Sequence, residues 1–234
     1  MKSIGYLITV YNEIKTVRQS INDVINIDYP NKEILIIDNA STDGSRQIIE
    51  SFKNNNIKMI LRSKNEGFGK TIQEGISSLD TDYIFIQYSD LEYDHLQSLN
   101  MMNYAIENKL DVVLGSRLIT EDFKKKSKIR SLIKKPSYLA TIICTFLTNK
   151  FYNHNFTDII GGKLYKTEAV KKIPISSFYM GFDFQFISRI FKRGLKVGEI
   201  PIKYKPRENS SEKKIKYYHM ANALYQIIKV KFFE

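Results

Sequence analysis

Residues 83–94 read YIFIQYSDLEYD, an apolar run that changes at once into a group of acidic side chains. The run 83–86 is followed closely by Ser89, Asp90 and Glu92. Strands buried on both faces of a sheet have such continuous apolar runs, whereas half-exposed strands alternate apolar with polar residues. The stretch therefore predicts a buried strand that brings carboxylates together at its end.

Similar runs recur through the first 116 residues and are separated by segments with helical spacing. This alternation predicts an α/β fold with a mostly parallel sheet and helices on both faces. The predicted strands are 4–10, 33–37, 57–61, 83–86 and 111–114.

Beyond Arg117 the pattern predicts further elements but less regularly. The expected elements are a helix to about 151, a strand within 156–165, a helix near 182–192, a strand at 196–204, a loop at 207–211 and an amphipathic helix from 213.

Charge is distributed unevenly over the 234 residues, whose formal net charge is +11. Residues 1–117 have a net charge of −4, and residues 118–234 have a net charge of +15. A mildly acidic half can hold a metal ion, whereas a strongly basic half favours polyanions such as phosphates or anionic lipid. The single Cys144 cannot form an internal disulfide and suits a reducing compartment.

No continuous apolar stretch of about 18 residues is present, so we expect no membrane-spanning helix. Residues 1–12 lack the pattern of a signal peptide. We expect 138–147 to be a packed helix, with an interfacial helix as the alternative. The tail from 213 fits a membrane interface and a helix packed on the domain equally well.

Polar loops follow the predicted strands, at the sheet edge where ligands of open α/β sheets bind. Within one of them, Asp90 and Glu92 would share a face with Tyr88 if the backbone stayed extended. Two converging carboxylates suit a hard divalent cation such as Mg²⁺ or Mn²⁺. The alternative is a solvated loop in which Asp94 caps the next helix.

Other motifs have simpler interpretations. The segment 38–45, DNASTDGS, either contacts a ligand through Asp38 or only caps a helix. GFGKT at 67–71 lacks the first glycine of a phosphate-binding loop, so we expect Gly67 and Gly69 to form a tight turn with unusual backbone angles. No motif for nucleic acid or for zinc is visible, and nucleic acid is not an expected partner.

Taken together and in order, several segments resemble the family 2 glycosyltransferases, which have a nucleotide-sugar-binding GT-A fold. The closest likeness is to those that transfer a sugar to polyprenyl phosphate. The segments are VYNE, DNASTDGS, NEGFGKTIQEG, SDLEYD, GSR, TDIIGGKLYK, GFDFQF, GLKVGEIPIKYKPR and SEKKI.

The resemblance implies a UDP- or GDP-sugar donor, Mg²⁺ or Mn²⁺ as cofactor, and three parts of the chain. These are a donor-binding half, 1–117, an acceptor-binding half, 118–209, and a C-terminal amphipathic helix, 210–234. The implied nucleotide-sugar contacts are Tyr11, Glu13, Asp38, Asn65, Gly67 and Asp90. The implied metal ligands are Asp90 and Glu92. The implied acceptor or phosphate contacts are Arg117, Arg130, Lys163, Arg207, Lys213 and Lys214.

The expected reaction transfers a hexose to polyprenyl phosphate with inversion, on the cytoplasmic face of the membrane, with Asp90, Arg117 and Arg207 as catalytic residues. One alternative acceptor is a hydroxyl of a surface glycan, which would require Asp183 as base. The other alternative is a non-catalytic binder of nucleotide sugar, because Tyr88 stands where the family has the first Asp of its D-A-D signature. Thr9 and His95 also replace prolines of the family pattern.

Overall fold

The computed structural model describes residues 1–53, 56–119, 136–177, 181–206 and 218–234. Seven strands in these ranges form one sheet. They are β1 (Ile4–Val10), β2 (Lys32–Asp38), β3 (Lys58–Leu61), β4 (Tyr83–Tyr88), β5 (Val112–Ser116), β6 (Gly162–Lys166) and β7 (Val197–Pro201). The helices of these ranges are α1 (Val17–Ile25), α2 (Ser45–Glu50), α3 (Phe68–Ser78), α4 (Gln97–Glu107), α5 (Pro136–Tyr152), α6 (Thr167–Val170), α7 (Phe182–Lys192) and α8 (Tyr218–Phe233).

The strand order is β3-β2-β1-β4-β6-β5-β7. All neighbouring strands are parallel except at β6, which runs antiparallel to β4 and β5. The mostly parallel α/β sheet is thus confirmed, and each of the five predicted N-terminal strands is present. Because β6 lies between β4 and β5, the predicted donor and acceptor halves share one sheet; the division between them stays a prediction.

The register places the ends of four strands side by side. Val10 is opposite Asp38, Asp38 is opposite Leu61, and Thr9 is opposite Tyr88. From β1 the chain moves outward to β2 and β3 and then returns to the other side of β1 with β4. The strand order therefore reverses between β1 and β4, and ligands of open α/β sheets bind at such a point.

Two apolar layers cover the two faces of the sheet, as expected for buried parallel strands. Alternate residues of β1 point into different layers: Leu7 belongs to one hydrophobic cluster and Ile8 to the other. Helix α3 lies so close to β1 that a Cβ on Gly75 would be 2.2 Å from a methyl carbon of Leu7.

Several predicted elements differ in detail. The strand expected within 156–165 begins only at Gly162, and the C-terminal helix is described from Tyr218. Gly67 has a positive φ of 85° before α3, as predicted, but Gly69 does not have a positive φ. A Cβ on Gly69 would be 2.1 Å from the carbonyl oxygen of Ser177, so Gly69 permits close packing instead. No helix in the described part of the chain is long and apolar enough to cross a membrane.

Candidate active site

The loops after β1 and β2 are tied together by hydrogen bonds between side chains and backbone. The backbone N–H groups of Asn12 and Glu13 donate to Oγ of Ser41 and Ser45, each over 2.9 Å. The N–H of Ile14 donates to Asp43 Oδ2, also at 2.9 Å. These bonds fix residues 11–13, which include the predicted nucleotide contacts Tyr11 and Glu13, beside the end of β2.

Asp43 also accepts hydrogen bonds from Ser45, through its backbone N–H at 3.0 Å and its hydroxyl at 2.6 Å. Burial raises the pKa of Asp43, but the hydrogen bonds from Ser45 and Ile14 outweigh it, and the net pKa is lowered. Asp43 therefore stays ionised as a structural anchor of both loops, whereas the N-cap of α2 is Gly44 and has no side-chain capping hydrogen bond.

Asp38, at the tip of β2, is fully buried. Its carboxylate accepts hydrogen bonds from Arg46 Nε at 2.7 Å and from the Ser41 N–H at 3.1 Å. Arg46 therefore neutralises a predicted nucleotide-contacting group, and sequence reasoning missed it. The available signal was a basic residue in the first turn of the helix that follows an acidic strand tip.

The loop after β3 is held by Asn39, another residue that the sequence did not single out. Its amide nitrogen donates to Asn65 Oδ1 at 2.8 Å, and its Oδ1 accepts from the Glu66 N–H at 3.1 Å. Asn65 Oδ1 also accepts from the Gly67 N–H at 2.8 Å. The predicted donor contacts Asn65 and Gly67 therefore lie beside the end of β2.

The extended backbone assumed for 88–92 is wrong. Strand β4 ends at Tyr88, and Leu91 has a positive φ of 58°. Asp90 Oδ1 accepts a hydrogen bond from the Glu92 N–H at 3.2 Å, and Glu92 Oε2 accepts from the Tyr204 hydroxyl at 2.8 Å. The turn thus directs Tyr88, Asp90 and Glu92 to different surroundings.

The Tyr88 side chain is part of an aromatic wall. Its ring stacks on Phe68 with 5.7 Å between centroids and contacts Tyr93 at 5.3 Å. Tyr93 in turn contacts Tyr204 at 5.3 Å. Burial raises the pKa of Tyr88 well above its ordinary value, so its hydroxyl is neutral.

Arg117 follows β5 and is held by a buried carboxylate. Its Nε lies 2.6 Å from Asp158 Oδ2, and its Nη2 lies 3.0 Å from Asp158 Oδ1, a bidentate arrangement. Its guanidinium also lies over the rings of Tyr138 and Tyr204, at 5.5 and 5.2 Å from their centroids. Burial raises the pKa of Asp158, but the charge and hydrogen bonds of Arg117 outweigh it and lower the net pKa. Asp158 was not predicted from the sequence.

Lys163 enters the site because β6 runs opposite to its neighbours and so begins at the edge where they end. Its Nζ lies 2.8 Å from Asp183 Oδ1 and 3.4 Å from the Tyr88 hydroxyl oxygen. Lys163 is 3% exposed and Asp183 is 8% exposed. Burial raises the pKa of Asp183, and the charge of Lys163 opposes that shift without cancelling it.

A divalent cation was expected at Asp90 and Glu92. Over the ranges 1–53, 56–119, 136–177, 181–206 and 218–234, no three His, Cys, Asp or Glu side chains converge on one point. Asp90 is a half-buried carboxylate at the strand tip, and Glu92 is a hydrogen-bond acceptor for Tyr204. Oxygen donors of this kind fit Mg²⁺ or Mn²⁺ if diphosphate oxygens complete the coordination shell.

Four predicted phosphate contacts, Arg130, Arg207, Lys213 and Lys214, lie outside the described residues. The other predicted site residues surround the ends of β1, β2, β4 and β5. They form a tied donor-side cluster around Asp38 and an aromatic and ionic cluster around Tyr88 and Arg117.

A mostly parallel sheet with polar loops at its point of reversal is typical of open α/β proteins that bind a ligand at the carboxyl ends of their strands. The model of the family described as Glycosyl transferase family 2 matches residues 6–174. The chain belongs to this family, so the predicted family is confirmed.

Curated relatives include the poly-beta-1,6-N-acetyl-D-glucosamine synthases of two staphylococci. The Staphylococcus epidermidis protein is 31% identical over 146 residues, which are 62% of this chain and 34% of that protein. The protein of Staphylococcus aureus strain COL is 29% identical over the same shares of both chains. The chain thus spans about a third of the length of the curated relatives it matches.

Solved structures share the fold at low identity. Glucosyl-3-phosphoglycerate synthase from Mycobacterium tuberculosis, in complex with UDP, matches with a TM-score of 0.71 and 12% identity, over 98% of this chain and 80% of that one. S. aureus TarS 1–349, in complex with UDP-GlcNAc, matches with a TM-score of 0.62 and 17% identity, over 99% of this chain and 68% of that one. The predicted GT-A-like fold is confirmed.

Proposed function

We propose that the chain is an inverting glycosyltransferase that moves a hexose from a nucleoside-diphosphate sugar to a polyprenyl phosphate. The observation that carries the proposal is the position of Asp90, at the carboxyl end of β4, where the strand order reverses beside β1. Membership of glycosyl transferase family 2 supports the reaction class. The UDP and UDP-GlcNAc in the structures with the same fold favour a UDP-sugar over a GDP-sugar.

In this proposal the donor nucleotide lies against the tied loops. Tyr11 and Glu13 contact the base and ribose, and Asp38 orients that side of the pocket. Asn65 and Gly67 close it from the loop after β3. The hydrogen bonds that fix these loops support the assignment, because a pocket whose loops are fixed by the protein itself loses less entropy on binding.

Asp90, helped by Glu92, would hold Mg²⁺ or Mn²⁺ against the donor diphosphate. When bound, such a cation neutralises the negative charge that develops on the departing diphosphate. Asp90 is oriented for this role by its hydrogen bond from the Glu92 N–H. Glu92 Oε2 accepts a hydrogen bond from the Tyr204 hydroxyl, and because a carboxylate has about four lone-pair sites this bond does not prevent Glu92 from acting as a second ligand.

The surroundings of Asp183 favour a phosphate acceptor over a sugar hydroxyl. A hydroxyl acceptor requires a base within hydrogen-bond reach, whereas a lipid phosphate is already ionised. The Asp183 carboxylate is buried and lies 2.8 Å from Lys163 Nζ. Its role as base would require that ion pair to open.

The acceptor phosphate would then be oriented by basic side chains of the second half, with Arg117 nearest to the described site. Arg117 keeps its charge at any physiological pH, because Asp158 raises its pKa against the effect of burial. Lys163, Arg130, Arg207, Lys213 and Lys214 are the further candidates. A polyprenyl phosphate lies in a bilayer, so the proposal places the protein peripherally on the cytoplasmic face of the membrane.

A glycan hydroxyl is the second candidate acceptor, favoured by one observation from the relatives. The synthases that match this chain are named for a polysaccharide product, poly-beta-1,6-N-acetyl-D-glucosamine. The raised pKa of Asp183 also fits a general base better than an ordinary carboxylate would.

Release of nucleoside diphosphate tests the proposal. Purified protein is incubated with Mn²⁺ and each of a panel of UDP- and GDP-sugars. Each mixture contains one of two acceptors, a short polyprenyl phosphate or an N-acetylglucosamine oligomer, or no acceptor. Release that requires the lipid phosphate supports the proposal, and release that requires the oligomer supports the second candidate. Tight binding of nucleotide without release under any condition would show a non-catalytic binder.

A further inference from the structure

Helix α5 packs Tyr138 and Leu147 towards the core together with several small polar side chains, and it exposes large apolar side chains on its outward face. Its inward face buries Thr141, Cys144, Thr145 and Thr148. Its outward face exposes Leu139, Ile142, Ile143 and Phe146, which follow the i, i+3, i+4, i+7 spacing of one helix face. Phe146 is 68% exposed. A surface helix normally turns its apolar side to the core, so this face is built for a partner.

A second exposed apolar stripe lies on α8. Tyr225 and Ile228 are exposed, while Ile227 and Val230 on the opposite side are fully buried. The two helices meet at their C-terminal ends, where the rings of Phe151 and Phe232 lie 5.4 Å apart. We call Leu139, Ile142, Ile143, Phe146, Tyr225 and Ile228 the apolar face.

The charged side chains of the two helices themselves are basic, and Glu234, which follows α8, pairs with Arg189 and lies 3.7 Å from Lys229. Neither α5 nor α8 contains an Asp or a Glu, and each has basic residues in or near its last turn. The residues that directly precede α5 in the sequence, 124–135, include seven basic residues and no acidic residue. An exposed apolar face flanked by lysine and arginine is typical of segments that lie in the headgroup region of a membrane.

We propose that the apolar face docks the protein on an anionic lipid bilayer, with α5 lying in the interface. Helix α5 has 17 residues and does not qualify as a spanning helix. A second copy of the chain is a poorer occupant, because α5 and α8 carry lysines and no acidic residue, and a two-fold contact would bring these lysines towards each other. The inference specifies the membrane contact of the proposed function, but its test needs neither donor nor turnover, so either proposal can fail without the other.

A single tryptophan can report on this contact, because the chain contains none. In Phe146→Trp the reporter stands on the apolar face; in the matched control Leu96→Trp it stands before α4 at a site that is 57% exposed. Emission is recorded with vesicles of phosphatidylglycerol and phosphatidylcholine, with and without brominated acyl chains. We expect a blue shift and bromine quenching for Phe146→Trp and neither for Leu96→Trp.

Three results would overturn the proposal. One is a tryptophan emission spectrum of Phe146→Trp that does not change when vesicles are added. Another is emission that is already blue-shifted at every protein concentration, which would mean that the chain itself covers the face. The third is a blue shift that depends on protein concentration but not on lipid, which would mean self-association.

Co-sedimentation gives an independent measurement. The double substitution Ile143→Glu with Phe146→Glu places two negative charges on the face, and we expect it to reduce partitioning onto anionic vesicles at least about tenfold. The control Ile106→Glu alters a residue that is 43% exposed on α4 and should reduce partitioning much less. Equal partitioning of the double variant and the control would also overturn the proposal. All these positions are exposed, and circular dichroism checks that the variants fold.

Discussion

Tyr88 stands where the family pattern has an acidic residue, and its surroundings explain how the site tolerates it. The ring is packed between Phe68 and Tyr93, and its hydroxyl lies 3.4 Å from Lys163 Nζ. An aspartate at this position would be too short to fill the same space. The residue therefore acts as part of the wall of the site, and in the proposed function Asp90 would be the residue that holds the cation.

We expect Tyr88→Phe and Tyr88→Ala to separate the ring from the hydroxyl. The Phe variant should change the free energy of unfolding by less than about 1 kcal/mol, because it loses only one long polar contact. The Ala variant should lose about 2–4 kcal/mol, because the neighbouring rings are left beside a cavity. Denaturant titration measures both. If the free energy of unfolding fell as much in Tyr88→Phe as in Tyr88→Ala, the hydroxyl would be the important group. The interpretation of Tyr88 as part of an aromatic wall would then be wrong.

Asp158 is the residue whose replacement should destabilise the acceptor side most. Asp158→Asn preserves the shape of the side chain but leaves the Arg117 charge buried without its partner. We expect the free energy of unfolding to fall by about 3–5 kcal/mol at neutral pH. Replacing the exposed Asp80, which pairs with Lys171, by Asn serves as control, because an exposed pair contributes little.

The loss of stability caused by Asp158→Asn should become smaller as pH falls. The folded-state pKa of Asp158 is below its unfolded value of about 3.9, so its contribution is complete above that value and is lost as pH falls through the folded pKa. The stability difference between the native protein and Asp158→Asn should therefore shrink below about pH 4. A difference that stayed constant or grew in acid would contradict the assigned ion pair.

Asp183→Asn distinguishes the two acceptors. With a phosphate acceptor we expect turnover to fall less than about threefold, and with a hydroxyl acceptor at least about 100-fold, since only the hydroxyl needs a base. Because the change also opens the pair with Lys163, the melting temperature is measured and turnover is compared well below it. A 100-fold loss with polyprenyl phosphate would rule out the phosphate mechanism as stated.

Among the elements, the close packing of α3 on β1 depends on one glycine. A Cβ on Gly75 would lie 2.2 and 2.5 Å from the two terminal methyl carbons of Leu7, which is fully buried. We expect Gly75→Ala to destabilise the protein by about 1–3 kcal/mol despite the better helix propensity of alanine. Ser78→Ala, at the exposed end of the same helix, should be close to neutral. Equal midpoints of chemical denaturation for both variants would show that the helix can move away without cost.

The regular elements were predictable because their patterns are local. The apolar runs that became β1 and β4 and the periodicity that became α7 are each decided within a few residues of chain. The position of β6 between β4 and β5 was not predictable, because pairing depends on distant segments. Gly69 illustrates the same limit: its neighbour is the carbonyl of Ser177, more than a hundred positions away.

The candidate site could be predicted only as a set of loops at one sheet edge. Motifs indicated Asp38 and Asp90, but not Arg46 and Asp158, which neutralise or fix groups of the site from other segments. The exposed apolar residues of α5 were equally hard to predict, because sequence alone does not show which side of a helix meets the core.

At the scale of the whole molecule, one sheet joins an acidic first half to a basic second half. The reversal of strand order between β1 and β4 collects the donor loops, and the antiparallel β6 begins beside them with Lys163. The apolar face of α5 and α8 belongs to the basic half. The proposed donor, acceptor and membrane contacts thus follow from one arrangement of strands and charges.

The central claim is that a divalent cation at Asp90 meets the diphosphate of the donor. Calorimetric titration of UDP, with and without Mn²⁺, tests this claim on the native protein and on Asp90→Asn. Asp94→Asn is the matched control, a neighbouring acid whose carboxylate accepts a hydrogen bond from the Leu96 N–H.

Mn²⁺ should tighten UDP binding at least about tenfold in the native protein and in Asp94→Asn, because in the proposed site Asp90 would hold the cation against the diphosphate. In Asp90→Asn that gain should disappear. Equal gains from Mn²⁺ in Asp90→Asn and the native protein would contradict the account.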